Sequence, residues 1–213
     1  MSVQIRLATK EDYSATEQLV RCAFWNVYRP GCTEHYVLHC FRQSPQPSPF
    51  VPELDLVLQK DNTLIGQIIF VRSQIFLDDG GILPCMTFGP LCIQPEYQRQ
   101  GYGMQLLSAS MQKAKAMGSK VLAITGDINF YGKAGFVLGS SKGIRYLEAD
   151  SEDSVVPYFL VAELEPDALS NKKGSYQDPE GYFVAESNPQ GFADFDAHFP
   201  PKEKCRLSGQ LQP

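Results

Sequence analysis

The stretch from Phe88 to Met104 constrains this chain more than any other. Phe88-Gly89-Pro90-Leu91-Cys92-Ile93 has the character of a strand end, yet Pro90 has no N–H to give to a ladder. Gly next to Pro inside a strand predicts a bulge, where pairing with a neighbouring strand fails. Beyond it the backbone of Leu91, Cys92 and Ile93 is available to an extended, amide-bearing ligand, much as a peptide adds to a sheet edge. Pro95-Glu96-Tyr97 turns the chain away, and Gln98-Arg99-Gln100-Gly101-Tyr102-Gly103 leads into a helix. The first amides of a helix lack internal partners, and its dipole favours negative charge there. With two glycines allowing close approach, that turn is a candidate seat for a pyrophosphate.

A bare Gly-x-Gly is weak evidence, and its surroundings decide between alternatives. The dinucleotide fingerprint needs a third Gly where Leu106 stands, and the phosphate-loop pattern ending in Gly-Lys-Ser/Thr is absent. The preceding segments also have the wrong character for a first βα unit. Leu54 to Gln59, Leu64 to Phe76 and Ile82 to Ile93 are strand-like runs separated by Asp61-Asn62 and Asp78-Asp79-Gly80-Gly81, which predicts an antiparallel meander. The period then changes. Met104, Leu107, Met111 and Ala114 recur at helical spacing, Gly118 suits a C-terminal cap, and Val121 to Thr125 is a short buried strand. A strand, helix, strand unit of this kind places one parallel pair inside an otherwise antiparallel sheet.

On the N-terminal side, Val3 to Leu7 alternates as a half-buried strand does. Thr9 with Asp12 resembles a capping box and predicts a helix from about Glu11 to Phe24, with a second helix over Thr33 to Arg42. Pro45, Pro47, Pro49 and Pro52 predict an extended loop. Downstream, Asp127 to Ala134 is a short helix or turn, Gly135-Phe136 opens a strand, and Ser154 to Glu163 is the last core strand. After Pro166 the composition turns polar. Asn171 to Gly174 has the character of a linker, and Asn188-Pro189 suits a helix start with Pro at its first position. Phe192, Phe195 and Phe199 recur at i, i+3, i+7 and are expected to pack on the core. The expected organisation is a domain over residues 1–165 and a C-terminal extension over residues 166–213.

Charge and cysteine usage narrow the classes. The 213 residues carry a net charge of −5, which disfavours a general nucleic-acid binder. Between Glu96 and Arg145, however, seven basic residues (Arg99, Lys113, Lys115, Lys120, Lys133, Lys142, Arg145) face two acidic ones (Glu96, Asp127), a local field suited to a small polyanion. No run approaches the roughly 18 apolar residues of a membrane span. The N-terminal residues lack a basic patch followed by an apolar stretch, so a cytoplasmic location is the expectation. Six irregularly spaced cysteines without any Cys-x-x-Cys predict free thiols. Cys32, His35, His39 and Cys40 invite a metal reading, but Cys40 points off the face shared by the two histidines, so no metal is expected.

Taken together, Gly89-Pro90-Leu91-x-Ile93-x-Pro95-x-Tyr97-Gln98-Arg99-Gln100-Gly101-Tyr102-Gly103 resembles motif A of the GNAT superfamily of N-acetyltransferases, [QR]-x-x-G-x-[GA]. Asn129-Phe130-Tyr131-Gly132-Lys133-Ala134-Gly135-Phe136 resembles its downstream motif, in the subgroup with a short Gly-Asp-x-x-Tyr/Phe-Tyr-Gly-x-x-Gly-Phe pattern. The resemblance covers roughly Val3 to Glu163. It implies an α/β (α+β) fold: a mixed, mostly antiparallel sheet with one central parallel pair, flanked by helices. It implies acetyl-CoA as co-substrate, with the backbone of Leu91, Cys92 and Ile93 on pantetheine and the amides of Gln98, Arg99, Gln100, Gly101, Tyr102, Gly103 and Met104 on the pyrophosphate. Tyr131 becomes the candidate general acid beside the sulfur. Many members carry an Asn seven residues before that Tyr; here the position is Ile124, and Asn129 is the substitute candidate.

The acceptor and base are less legible. The implied reaction is direct attack of a primary amine on acetyl-CoA in a ternary complex, with a small-molecule amine preferred over a protein N-terminus or lysine. Glu96, just after the thioester strand, is the candidate base, while Glu34, His35, Trp25, Tyr28 and Tyr36 are considered for the acceptor side. A non-catalytic acyl-CoA-binding or regulatory module is the alternative from another class. No membrane partner is expected, and a homodimer is left open.

Overall fold

The structure, a computed structural model, describes residues 2–45, 47–147 and 155–210. Thr9 and Asp12 start the first helical segment as their spacing predicts. The Thr9 N–H donates to Asp12 Oδ2 at 2.8 Å, while Arg6 clamps the same carboxylate with two hydrogen bonds of 2.6 and 2.9 Å. The Arg6 guanidinium and the Thr9 donors hold the Asp12 carboxyl well below the usual carboxylate range. A short 3-10 turn then continues into α1 (Tyr13–Phe24), which follows β1 (Val3–Leu7), and α2 (Glu34–Gln43) comes next.

The strands are β2 (Leu56–Lys60), β3 (Thr63–Leu77), β4 (Ile82–Ile93), β5 (Val121–Thr125), β6 (Val137–Leu138), β7 (Ile144–Tyr146), β8 (Phe159–Glu163) and β9 (Gly174–Tyr176). Helix α3 (Tyr102–Ala116) separates β4 from β5, and the short α4 (Ile128–Tyr131) follows β5. Hydrogen bonding orders the strands β1-β2-β3-β4-β5-β8-β6, with β9 paired to β3 and β7. The β1–β2 and β2–β3 pairs are antiparallel, and β4–β5 is the parallel pair that the strand, helix, strand pattern requires. This is the mixed α/β sheet expected from the sequence. A second, short parallel pair, β7 with β9, was not foreseen.

The chain clusters into two compact units. One comprises Met1–Ile69, Gly89–Leu106 and Glu180–Pro213. Its interior is built from Val20, Leu38, Phe41, Leu54, Leu58, Ile65 and Ile68, all buried. The other comprises Phe70–Phe88 and Leu107–Pro179. Its interior gathers Ile75, Val121, Ala123, Ile144, Phe159, Val161 and Tyr176.

Two expectations need correction. The stretch read as a linker, Asn171 to Gly174, ends in a strand, because Gly174 opens β9 opposite Leu77. A Cβ there would lie 2.3 Å from the Phe76 carbonyl oxygen, so only glycine permits the approach. The last core strand begins at Phe159 rather than Ser154, which lies outside the described residues. Asn188-Pro189 does start a helix, α6 (Pro189–Asp196), following α5 (Val184–Ser187). Asn188 caps it by accepting from the Gly191 N–H at 3.0 Å. Phe192 and Phe195 pack on Tyr36, and Phe195 and Phe199 pack on His35, so the three-Phe stripe is half-buried against α2.

Beneath that stripe lies a buried polar network. Asp196 accepts from Arg21 Nε at 2.7 Å and lies 3.0 Å from His35 Nε2, while Cys32 Sγ lies 3.5 Å from His35 Nδ1. Burial pushes the His35 pKa down to about 4; the Asp196 carboxylate opposes this, and Arg21 offsets the carboxylate. The unfolded histidine titrates near 6.5. Between those values the unfolded chain binds the extra proton, so stability rises with pH in that window and is lost on acidification. Thermal melting from about pH 7 to pH 4 is expected to show a falling Tm. His35→Gln should lose that part of the slope, and identical slopes in both proteins would reject the assignment.

Candidate active site

The turn before α3 departs from ordinary backbone geometry where the sequence placed an anion. Arg99 has φ +61° and Gly101 φ +88°, with Gln100 between them. A non-glycine residue in the left-handed region costs roughly 1–2 kcal/mol and is found where a turn must aim its amides. Such alternation makes a concave array of N–H groups that suits an anion. The side chains brace the turn from outside. Gln98 Nε2 donates to the Ile93 carbonyl at 3.0 Å, and Gln100 Nε2 donates to the Glu96 carbonyl at 3.0 Å. Intrahelical bonding begins with the Gln105 N–H on the Gly101 carbonyl at 3.0 Å. The amides of Tyr102, Gly103 and Met104 belong to the first turn of α3, whose donors lack intrahelical acceptors.

One candidate side chain is not legible in the sequence. Lys60, at the end of β2, holds its ammonium 5.2 Å from the ring centres of both Tyr97 and Tyr102. It thus adds a cation beside the residue that opens α3. Only the hairpin at Asp61-Asn62 signalled that β2 ends there, and nothing in sequence spacing linked it to Tyr102.

The strand residues are divided between backbone and core. Cys92 is buried and burial pushes its thiol pKa up, so its side chain is core and only its backbone is available to a ligand. Ile93 is buried against Gly66, where a Cβ would lie 2.7 Å from Ile93 Cδ1, and Leu91 is half-buried. The parallel pairing registers Met86 with Leu122, upstream of Gly89. Glu96 is exposed on the 3-10 turn Pro95–Tyr97. Leu91, Cys92, Ile93 and Glu96, with Gln98 to Met104, lie in the first unit, while Met86 and Leu122 belong to the second.

Tyr131 and Asn129 lie in the second unit, on α4. Asp127 caps that helix, accepting from the Asn129 N–H and from Asn129 Nδ2, both at 2.9 Å. Tyr131 is fixed by rings: Phe88 at 5.8 Å, Phe130 at 4.9 Å and Phe136 at 5.7 Å. Gly126 completes the seat, since a Cβ there would lie 2.3 Å from Tyr131 Cε2. The glycine of the Gly-Asp pair is therefore required by the tyrosine ring.

The basic excess between Glu96 and Arg145 is smaller than the sequence count implies. Lys120 pairs with Glu165, Lys142 with Glu163 and Arg145 with Asp78, all acids from outside the stretch. The histidines read for a metal are turned to protein partners: His35 to Asp196 and His39 to Glu17, the latter at 2.9 Å. Among the described residues no group of three or more His, Cys, Asp or Glu side chains is placed to hold a metal ion. All six cysteines are free thiols. No helix among the described residues is long and apolar enough to cross a membrane.

Of the side chains considered for the acceptor, His35 is buried in its network, while Tyr36 lines an open cleft of about 1180 Å³ between α1, α2 and α6. Glu11, Glu17 and Asp194 also line it, and none of its lining residues is Lys or Arg.

The chain thus combines a mixed sheet with a central parallel pair and a left-handed glycine turn opening the helix between those two strands. Residues 54–138 match the model of the acetyltransferase (GNAT) domain, and both motifs fall inside them. Solved structures agree on the fold. A GNAT family N-acetyltransferase from Escherichia coli, in complex with CoA, superposes with a TM-score of 0.71 at 23% identity, over 84% of this chain and 91% of that one. A GNAT family acetyltransferase from Brucella melitensis, in complex with acetyl-CoA, gives 0.65 at 19% identity, over 85% and 98%. The ribosomal-protein-S18-alanine N-acetyltransferase of E. coli gives 0.51 at 16% identity, over 77% and 95%. At these identities the likeness is one of fold. No curated protein sequence matches the chain.

Proposed function

We propose that this chain transfers an acetyl group from acetyl-CoA to the primary amine of a small, cationic molecule, by direct attack in a ternary complex. The observation that carries the donor half is the turn from Gln98 to Gly103, with Arg99 and Gly101 both left-handed at the start of α3. Its amides would hold the pyrophosphate, with Lys60 and Arg99 as nearby cations. The backbone of Leu91 to Ile93 would hold pantetheine, in keeping with the chain's match to the GNAT domain and with neighbours crystallised with CoA or acetyl-CoA.

The chemistry makes three demands. The amine must attack as a neutral base; for a lysine-like amine at pH 7 deprotonation costs about 4.6 kcal/mol. Glu96 is the candidate base, acting directly or through water from its exposed turn. The tetrahedral oxyanion needs a donor, and a backbone N–H of the Leu91–Ile93 segment is the candidate. The departing thiolate needs a proton or a hydrogen bond, and Tyr131 is the candidate. A Tyr near pKa 10 gives its proton to a thiolate of about 8.5 slightly uphill, so hydrogen-bond donation is its main contribution. The acceptor half is supported by the cleft between α1, α2 and α6, whose carboxylates Glu11, Glu17 and Asp194 suit a cationic amine.

The test is thiol release from acetyl-CoA across a panel of small amines and peptide N-termini, with CoA affinity measured by calorimetry. Failure to bind CoA would sink the whole reading, and binding without turnover on any amine would make the chain an acyl-CoA-binding module. Gly101 gives a sharper prediction. A side chain there meets no protein atom within 4 Å, so it would enter only the space above the turn, at a φ that L-residues resist. Gly101→Val is therefore expected to weaken acetyl-CoA binding by roughly tenfold or more, with a stability loss of only about 1–2 kcal/mol. Unaltered affinity in calorimetry would remove the turn from the site.

A further inference from the structure

The C-terminal segment places an aromatic ring against Gly89 of β4. Tyr182 stands on a 3-10 turn, Glu180–Phe183, that precedes α5. A Cβ built on Gly89 would lie 3.7 Å from Tyr182 Cε1 and 4.0 Å from its hydroxyl oxygen. The ring therefore occupies the volume directly over Gly89, two residues before Leu91. Gly89 itself has φ +148°.

The ring is held there by specific packing. Phe41, on α2 and buried, meets the Tyr182 ring edge-on with centroids 5.1 Å apart. The preceding residue must be glycine, because a Cβ on Gly181 would lie 2.5 and 2.7 Å from Phe41 Cε1 and Cζ. Further along, Asn188 Nδ2 donates to the Tyr36 hydroxyl at 3.3 Å, and Asp196 is fixed by Arg21. The segment is thus pinned to α1 and α2 on the far side of Tyr182, and the position of the ring follows from the fold. None of these residues lies within the span 54–138 that matches the GNAT domain.

We propose that Tyr182 is the wall of the acyl pocket and restricts the donor to short acyl-CoA thioesters. This rests on the reading of Leu91 to Ile93 as the strand that holds the thioester. An acyl group held on that strand beside Gly89 would meet what stands over Gly89, a ring packed on buried Phe41. A chain longer than acetyl must displace that ring or bend away from it. In a pocket of this kind one extra methylene is discriminated by roughly tenfold or more.

The test needs no acceptor. Affinities for CoA, acetyl-CoA, propionyl-CoA and butyryl-CoA are measured by calorimetry for wild type, Tyr182→Phe and Tyr182→Ala. Wild type and Tyr182→Phe should bind butyryl-CoA roughly tenfold or more weakly than acetyl-CoA, and Tyr182→Ala should bring the two within about threefold. Should melting show that Tyr182→Ala is unfolded, Tyr182→Leu replaces it, since Leu retains apolar contact with Phe41 and removes the ring. Wild type indifferent to chain length, or a folded ring-less variant that discriminates as wild type does, would overturn the proposal while leaving CoA binding intact. Absence of CoA binding in wild type would instead overturn the donor assignment and this inference with it.

Discussion

Tyr131→Phe is expected to lower kcat for acetyl transfer by about a hundredfold, with little change in acetyl-CoA affinity or Tm. The substitution removes one oxygen and keeps the ring that Phe88, Phe130 and Phe136 grip, so the aromatic packing around it is retained. The magnitude is that of one hydrogen-bond donor aimed at charge developing in the transition state. Steady-state thiol release, with calorimetry on the same preparation, separates loss of chemistry from loss of binding. An unchanged kcat would remove Tyr131 from the mechanism. Gly126→Ala provides the positional counterpart. Its Cβ would lie 2.3 Å from Tyr131 Cε2 and 2.8 Å from Cδ2, so the ring must move or the β5–α4 turn must open. A loss of kcat in Gly126→Ala, with the hydroxyl still present, is expected if the place of the ring matters as much as its oxygen.

Much of the candidate site's backbone geometry was legible in sequence because it is local. The helix-starting turn, the Gly-Pro break and the change of period from strands to α3 lie within thirty consecutive residues. Backbone chemistry there is dictated by Gly and Pro. Asn188-Pro189 was legible for the same reason: a cap and a first-turn proline act on their own neighbours. What sequence spacing could not supply was pairing over long separations. Gly174 against Phe76, Tyr182 against Gly89, and Asp196 between Arg21 and His35 join segments far apart in chain order. In each case the residue type alone pointed elsewhere. Gly174 closes a polar stretch with the character of a linker, Tyr182 sits in a stretch without periodicity, and His35 reads as a candidate for the acceptor side when its partner is the Asp196 carboxylate. The local basic excess failed similarly, because Glu165, Glu163 and Asp78 neutralise part of it from outside the stretch counted.

Arg42 is the largest case of this kind, and its removal should cost more stability than any other single truncation considered. In sequence it is a basic residue in the last turn of α2, where a charge favours the helix dipole and faces water. In the structure its side chain is 1% exposed and bound to Asp55, itself 3% exposed. The pairing is bidentate, Nε to Oδ2 at 2.8 Å and Nη2 to Oδ1 at 2.9 Å. Gln67 on β3 donates to Asp55 Oδ1 at 2.8 Å, and Arg42 Nη1 donates to Thr16 Oγ1 on α1 at 2.8 Å. Two helices, the residue before β2 and one strand thus meet on a single guanidinium, with the Tyr13 ring 4.1 Å from its carbon. Deleting one partner of a buried pair leaves the other charge dry and uncompensated, at about 3–5 kcal/mol. Arg42→Ala should therefore lower the unfolding free energy by that amount in urea melts, and Asp55→Ala likewise. The double replacement Arg42→Met with Asp55→Leu should recover a large part of the loss, because a pair exchanged for apolar side chains strands no charge. If Arg42→Ala cost less than about 1 kcal/mol, the network would be carrying no more than a surface ion pair does. That result would shift the anchoring of α1 and α2 onto their apolar faces alone, where Val20, Leu38 and Phe41 are buried.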